Sequence, residues 1–453
     1  MYILILGAGE VGFHTALQLS RENHNVVVVD HNPESLHVMN EYMDVPTLQG
    51  LASSPSILKE AGVREADLLI AVTNSDEVNL QACRFAKLIS PSTTCIARVR
   101  NESYLNFMKE TGLDHFAVDA LINPEYEVAR QISNLVRIPA VSFAADFAGG
   151  QVKLLGFKPP LTSPLVGRKM SDLHPPGAPE FLVAALDHGG KVVIPRGDAL
   201  LRPGDQAYVV ARREDLDQVL AHFGLNNDRV RKISLIGGGA ISRQVALACR
   251  DLDLRVTIVV NDEEQGAGLA EEFPECLVLK GNYSDVTLWE EESLGQTDIF
   301  CAVTDNEEDN VLLALLGGKM GAGRTVARVA NIGYVPLASS LGVDLVVSPR
   351  AVAAGAILRF LRRGKVLNIS PLKDDAAEMM ELTVQESSAL VGRSLKDLAL
   401  PAGILLTAVV RQEEIIIPQG NTVLRAGDDL VVFLMRNMVK KFEKLVSVKL
   451  EFF

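Results

Sequence analysis

The sequence predicts an α/β protein built twice over, each half joining a helix-covered parallel sheet to a small α+β lobe. Three observations carry this. Four motifs recur in the same order, 223 to 231 residues apart. Short apolar runs alternate with segments of helical length. A glycine-rich turn follows the first apolar run of each half.

The repeat is read directly. Ala71-Val-Thr-Asn-Ser-Asp-Glu-Val-Asn79 returns as Ala302-Val-Thr-Asp-Asn-Glu-Glu-Asp-Asn310, and Ala97-Arg98-Val99 as Ala327-Arg328-Val329. Ser163-Pro-Leu-Val-Gly-Arg168 returns as Ser388-Ala-Leu-Val-Gly-Arg393, and Leu201-Arg-Pro-Gly-Asp205 as Leu424-Arg-Ala-Gly-Asp428. Ordered matches with slowly drifting offsets indicate a tandem duplication.

In residues 1–138 the runs Ile3–Leu6, Val26–Val29, Leu68–Val72 and Cys95–Val99 read as strands. In residues 232–366 the same parts fall to Ile233–Ile236, Val256–Val260, Ile299–Val303 and Val326–Val329. Continuous apolar strands separated by helices mark a parallel sheet buried on both faces. Residues 139–224 and 367–453 change character. Val183–Leu186, Val192–Ile194 and Ala207–Ala211 are short strands joined by turns, and Leu405–Val410, Ile415–Ile417 and Leu430–Phe433 repeat them. Gly224-Leu-Asn-Asn-Asp228 is the expected joint between the halves.

Composition narrows the function. With 48% hydrophobic residues in 453, there is ample chain for packed cores. The formal net charge of −13 argues against nucleic acid, whose phosphates call for a basic surface. The five cysteines contain no C-x-x-C pair, so they read as small buried hydrophobes and no metal site is expected. No apolar run approaches the roughly 20 residues of a membrane span. Ala351–Leu358 is stopped by Arg359, Arg362 and Arg363.

Gly7-Ala8-Gly9-Glu10-Val11-Gly12 follows a strand and opens a helical pattern, with Asp30 at the end of the next strand. This is a Rossmann-type fingerprint. Its glycines allow a tight turn and close approach to a pyrophosphate, the helix N-terminus supplies N–H groups, and the acid can hold a ribose. The second loop, Gly237-Gly238-Gly239-Ala240-Ile241-Ser242, ends in serine, and Val260 stands where the first copy has Asp30. Asn261 and Asp262 follow, but on a strand their side chains project differently. Phosphate cradling is retained there while ribose selection weakens. Thr73 and Asn74 end a strand run where open α/β sheets place ligands, and Arg98 ends the next with a fork suited to phosphate. Thr304 and Arg328 are their counterparts. The competing reading makes Thr73 and Asp76 helix caps and Arg98 a salt-bridge partner.

Together these motifs resemble the TrkA family of Trk-system potassium uptake regulators, built from tandem RCK (regulator of potassium conductance) domains. The resemblance rests on Ile5-Leu-Gly-Ala-Gly-Glu-Val-Gly12, Glu60-Ala-Gly62 before Ala66-Asp67, Ala71-Val-Thr-Asn74, Ala97-Arg98 and the paired Leu-Val-Gly-Arg and Arg-x-Gly-Asp turns. It spans the whole chain. It implies an N and a C lobe per repeat, NAD(H) as ligand with ATP or ADP as further candidates, and a membrane-embedded Trk potassium-transporting partner. It also implies a ring of four chains, lying in the cytoplasm as a peripheral membrane component. Segments Pro124–Val136 and Arg350–Arg362 resemble the crossover helices that pair such domains, although apolar faces like theirs also suit an internal core. The family often has a Gly-Asp turn after the third strand; here the turns read Gly50-Leu51 and Gly281-Asn282, so contacts needing that acid do not transfer.

A dehydrogenase shares the fingerprint. Hydride transfer needs a proton donor or acceptor facing the nicotinamide. All eight histidines lie at or before His222, and His115, the one near a strand end, reads as an exposed loop residue. No G-x-x-x-x-G-K-[ST] is present, which removes phosphate-transferring P-loop enzymes. The expectation is a regulator without catalysis, with an RCK-type regulator of another channel or antiporter as the alternative.

Overall fold

The computed structural model describes residues 1–331, 333–361, 366–372, 376–398 and 400–446. The first six strands are β1 (Tyr2–Leu6), β2 (Asn25–Asp30), β3 (Thr47–Gln49), β4 (Leu68–Ala71), β5 (Thr94–Arg98) and β6 (Ala120–Ile122). They alternate with helices α1 (Glu10–Arg21), α2 (Pro33–Tyr42), α3 (Pro55–Glu60), α4 (Asp76–Ile89), α5 (Glu102–Thr111) and α6 (Pro124–Arg137). The strands form one parallel sheet in the order β3-β2-β1-β4-β5-β6. The order reverses between β1 and β4, so a crevice opens at their carboxyl ends, where such sheets bind ligands.

An antiparallel sheet follows, from β7 (Phe143–Phe147), β8 (Val152–Phe157), β9 (Phe181–His188), β10 (Lys191–Val193) and β11 (Gln206–Arg212), closed by helix α7 (Leu216–His222). The second repeat restates the parallel sheet with β12 (Lys232–Ile236), β13 (Arg255–Val260), β14 (Leu277–Lys280), β15 (Ile299–Ala302), β16 (Arg324–Arg328) and β17 (Leu345–Val347). Their order is β14-β13-β12-β15-β16-β17, the same topology as in the first. Its helices are α8 (Ala240–Cys249), α9 (Glu263–Glu272), α10 (Val286–Glu291), α11 (Glu307–Lys319), α12 (Tyr334–Leu341) and α13 (Pro349–Leu361). The final antiparallel sheet holds β18 (Val366–Leu372), β19 (Ala377–Thr383), β20 (Ile404–Arg411), β21 (Glu414–Ile416) and β22 (Asp429–Met435), with helices α14 (Leu395–Leu398) and α15 (Val439–Val446).

The predicted fold class holds: two parallel-sheet Rossmann-like units, each followed by an antiparallel α+β lobe. Every strand run read from the sequence is a strand, but the outer strands of the two parallel sheets were not anticipated. Thr47–Gln49 has one apolar residue in three, and its counterpart Leu277–Lys280 has an apolar run of only three, shorter than the runs read as the inner strands.

Like parts of the two repeats cluster together. One compact unit comprises Met1–Arg130 with Lys232–Leu361, and the other comprises Gln131–Arg231 with Arg362–Phe453. In the first unit α13 packs on α1 and β6. Ala353 and Ile357, both fully buried, complete an apolar cluster with Ile3, Ile5, Ala16 and Leu19 of the first sheet unit. The expected crossover helix is therefore core to the opposite repeat, and Arg362 of that expectation lies outside the described residues. In the second unit Phe147, Leu154 and Tyr208 share a cluster with Met379, Val431 and Phe433.

Candidate functional site

The first glycine loop is shaped by two close approaches. Gly7 has φ +109°, and a Cβ there would lie 3.0 Å from the backbone of Val72 and Thr73. A Cβ at Gly12 would lie 1.8 Å from the carbonyl oxygen of Gly7. Glycine at both positions lets the chain reverse tightly and brings α1 against the strand. Gly9 caps α1 with no side chain occupying its N-terminus, so the helix presents its first N–H groups to the crevice.

Asp30 braces this loop. One carboxylate oxygen accepts from the Ala8 N–H at 2.6 Å and the other from the Asn32 N–H at 2.8 Å. His31 Nδ1 stands 3.1 Å from Asp30. The acid expected to hold a ribose thus already shapes the loop that would hold the phosphates.

A cleft of about 500 Å³ opens here. It is lined by Gly7, Gly9, Glu10, Val11, Asp30, Thr73, Asn74 and Arg98, and it is completed by Arg328 and Arg350 of the second repeat. That volume lies within the usual range for small-molecule sites. Of the residues predicted for the first loop, Ala8 and Gly12 do not line the cleft; Ala8 is turned to Asp30, and Gly12 packs under Gly7. Three arginines face three acids, Glu10, Asp30 and Glu125. Arg98 meets Glu125 at 3.7 Å, a loose pairing, and burial lowers the Arg98 pKa from its ordinary value. The Nε atoms of Arg98, Arg328 and Arg350 and one Glu125 oxygen are buried with no hydrogen-bond partner. Buried polar atoms without partners are uncommon; the arginine N–H groups would favour a ligand oxygen, and the Glu125 oxygen a ligand donor.

Thr73 lines the cleft, and it also makes an internal bond that neither alternative named. Its hydroxyl and N–H both reach Asn79 Oδ1, at 2.7 and 2.9 Å, and Asn79 Nδ2 donates to the Arg98 carbonyl at 2.9 Å. Asn79 is fully buried and ties the ends of β4 and β5 together. The helix cap is Ser75, not Thr73 or Asp76. Asp76 instead accepts from the N–H groups of Arg100 and Asn101. Asn310 ties Thr304 to the Arg328 carbonyl in the same way.

The second loop departs from the first. Ser242 replaces Gly12, and its hydroxyl donates to the Gly237 carbonyl at 2.5 Å. Val260 is fully buried, and a Cβ at Gly238 would meet Val260 and Gln265 within 2.7 Å. Asp262 caps α9, while Asn261 accepts from the Tyr283 hydroxyl. Neither takes the part of Asp30. Gly237, Gly239, Ile241 and Thr304 stay outside the first cleft, whereas Ala240 lines a second, more open depression with Arg100, Asp76, Glu77 and Glu125. Arg328 was predicted for the second lobe, yet it lines the first cleft. Sequence reasoning missed Arg350 and Glu125. Their one local signal is the proline that precedes each at the first turn of α13 and α6.

Among the described residues, no group of three or more His, Cys, Asp or Glu is placed to hold a metal ion, and no helix is long and apolar enough to cross a membrane. Cys83, Cys95, Cys249 and Cys301 are buried and Cys276 is partly so, with burial raising the Cys276 thiol to about 11.

A duplicated dinucleotide-type fold with a ligand-sized, arginine-lined cleft at its first glycine loop defines a tandem Rossmann-type class of protein. The family model for the TrkA-N domain matches residues 3–123 and 233–349, and that for the TrkA-C domain matches 154–224 and 379–447. The chain is 34% identical over 459 residues to the Trk system potassium uptake protein TrkA of Halomonas elongata, covering all of both chains. It belongs to the TrkA family. In fold it is similar to a GsuK channel bound to NAD, with a TM-score of 0.64 at 17% identity, over 98% of this chain and 78% of that one. It is also similar to GsuK bound to ADP, with a TM-score of 0.51 at 16% identity, over 80% and 69%.

Proposed function

We propose that the chain is the nucleotide-sensing regulatory subunit of a Trk-type potassium uptake system. It binds NAD(H), with ATP or ADP as further ligands, at the first glycine loop, and it gates a membrane-embedded transporting subunit. The observation that carries this is the first cleft. The glycine loop, Asp30 and the α1 N-terminus offer ribose and phosphate contacts, and arginines of both repeats converge on them. Membership of the TrkA family supplies the transport context.

The protein acts by binding rather than by catalysis. His31 is the one histidine lining the cleft, and it lies exposed beside Asp30. We place the lobe boundaries at residues 138, 224 and 366, and the working assembly as a ring of four chains on the cytoplasmic face of the membrane. Because the cleft is built from two repeats, nucleotide occupancy changes how firmly they are joined. A ligand preferring one arrangement 100-fold shifts the balance by about 2.7 kcal/mol. Several such sites in a ring suffice to switch it. The test is potassium flux into liposomes carrying the transporting subunit, with this chain added and NADH, NAD, ATP or ADP varied. The reading expects flux to depend on the chain and on the nucleotide; flux indifferent to both refutes it.

A further inference from the structure

Equivalent positions of the two repeats carry different charges. Glu10 opens α1 just after the first glycine loop, and Ala240 opens α8 just after the second. Pro124-Glu125 starts α6, whereas Pro349-Arg350 starts α13. Across the first unit these positions meet reciprocally. Glu10 forms an ion pair with Arg350 at the first loop. At the second loop, Ala240 and Glu125 line the same depression, with Asp76, Glu77 and Arg100 beside them. The carboxylate–arginine pair across the repeats is therefore present at the first loop and absent at the second, where the carboxylate's place is taken by alanine and the arginine's by Glu125.

Resting on the nucleotide reading, we infer that Glu10 is a built-in stand-in for a ligand phosphate. The phosphate takes Arg350 from Glu10 when a nucleotide occupies the first cleft. The second loop has no such exchange, because Ala240 stands where Glu10 would be. Three features support this. Arg350 is largely buried, with 16% of its side chain exposed, and its Nε lacks a partner. Glu10 has 60% of its side chain exposed and can turn into water at little cost. Arg350 lines the cleft together with Gly9 and Val11, where the α1 N-terminus attracts an anion. Arginine binds phosphate at least as well as carboxylate, because the planar fork suits both. Since Ala353 and Ile357 seat α13 on α1, the exchange would tie the nucleotide directly to the contact between repeats.

The experiment is calorimetric titration of the full chain with adenosine, AMP and ADP, for the unmodified protein, Glu10→Gln and Arg350→Gln. The inference predicts that Arg350→Gln weakens ADP by about tenfold, as expected for one lost charged hydrogen bond, and leaves adenosine unchanged. Glu10→Gln, which removes the competing carboxylate, tightens ADP and leaves adenosine unchanged. The two variants thus move ADP affinity in opposite directions. If both weaken adenosine and ADP alike, the pair is a packing clamp and the inference fails. It also fails if the unmodified chain binds ADP and neither variant alters that affinity. If the unmodified chain binds neither adenosine nor ADP, the nucleotide reading itself falls and takes the exchange with it.

Discussion

Replacing Asp30 with alanine should affect stability and binding together. In the free protein the carboxylate accepts from Ala8 N–H at 2.6 Å and Asn32 N–H at 2.8 Å, with 12% of the side chain exposed. Asn32 is half-buried, so water can take over its N–H. Ala8 is 6% exposed, and its N–H would be left without a partner. Orphaning one buried donor costs about 1–3 kcal/mol. A loss of that size lowers the melting transition of the first unit by about 2–10 °C. A chain of two units need not unfold in one step, so the shift is read on the transition that NADH binding raises. Losing a charged hydrogen bond to ribose weakens NADH by about 10- to 100-fold. Asp30→Asn keeps an acceptor for Ala8 and should recover most of the stability but not the affinity. The assay pairs thermal unfolding of the free protein with NADH titration. Unchanged melting in Asp30→Ala would refute the bracing argument, and unchanged affinity would refute the ribose placement.

The Asn79 lock predicts that Asn79→Ala and Asn310→Ala each cost about 2–4 kcal/mol, since each strands buried backbone groups, and that the two are similar because the geometry repeats; urea denaturation checks both. Ile357→Ala removes a fully buried side chain from the α1–α13 contact and should cost about 2–5 kcal/mol, seen as earlier proteolysis of the first unit. In the second unit, burial pushes the Asp428 carboxyl up, but hydrogen bonds from Arg411 and the Arg425 N–H outweigh that and hold it below the usual range. A depressed carboxyl contributes stability above its unfolded value of 3.8, which is lost as pH falls through the folded value. The second unit should therefore lose stability below about pH 4, and Asp428→Asn should flatten that slope in pH-dependent melting.

Much of this was written locally in the chain. The glycine loops, the apolar inner strands and the duplicated motifs each follow from short-range rules of spacing and burial, and Asp30 follows from its place at the end of β2. Thr73 was ambiguous because a threonine at a strand end suits a ligand, a cap or an internal bond equally well; its bond to Asn79 shows only in the structure, where it also lines the cleft. β7, β8, β18 and β19 lacked the clean apolar runs of their neighbours, with Asp146 and Lys153 in the first pair and Asn368 and Glu378 in the second. Arg350 was beyond sequence reasoning for a different reason. It lies 340 residues from Glu10, and nothing local says that α13 packs on the opposite repeat. The same gap explains Arg328, which was assigned to its own repeat and lines the cleft of the other.

The most direct test of the central claim is a crystal structure of the full chain grown with NADH. The account predicts the pyrophosphate on the N-terminus of α1 at Gly9–Val11, with a ribose hydroxyl on Asp30 and arginines of both repeats around the phosphates. A nucleotide bound only at the second loop, or a first cleft left empty at saturating NADH, would contradict it.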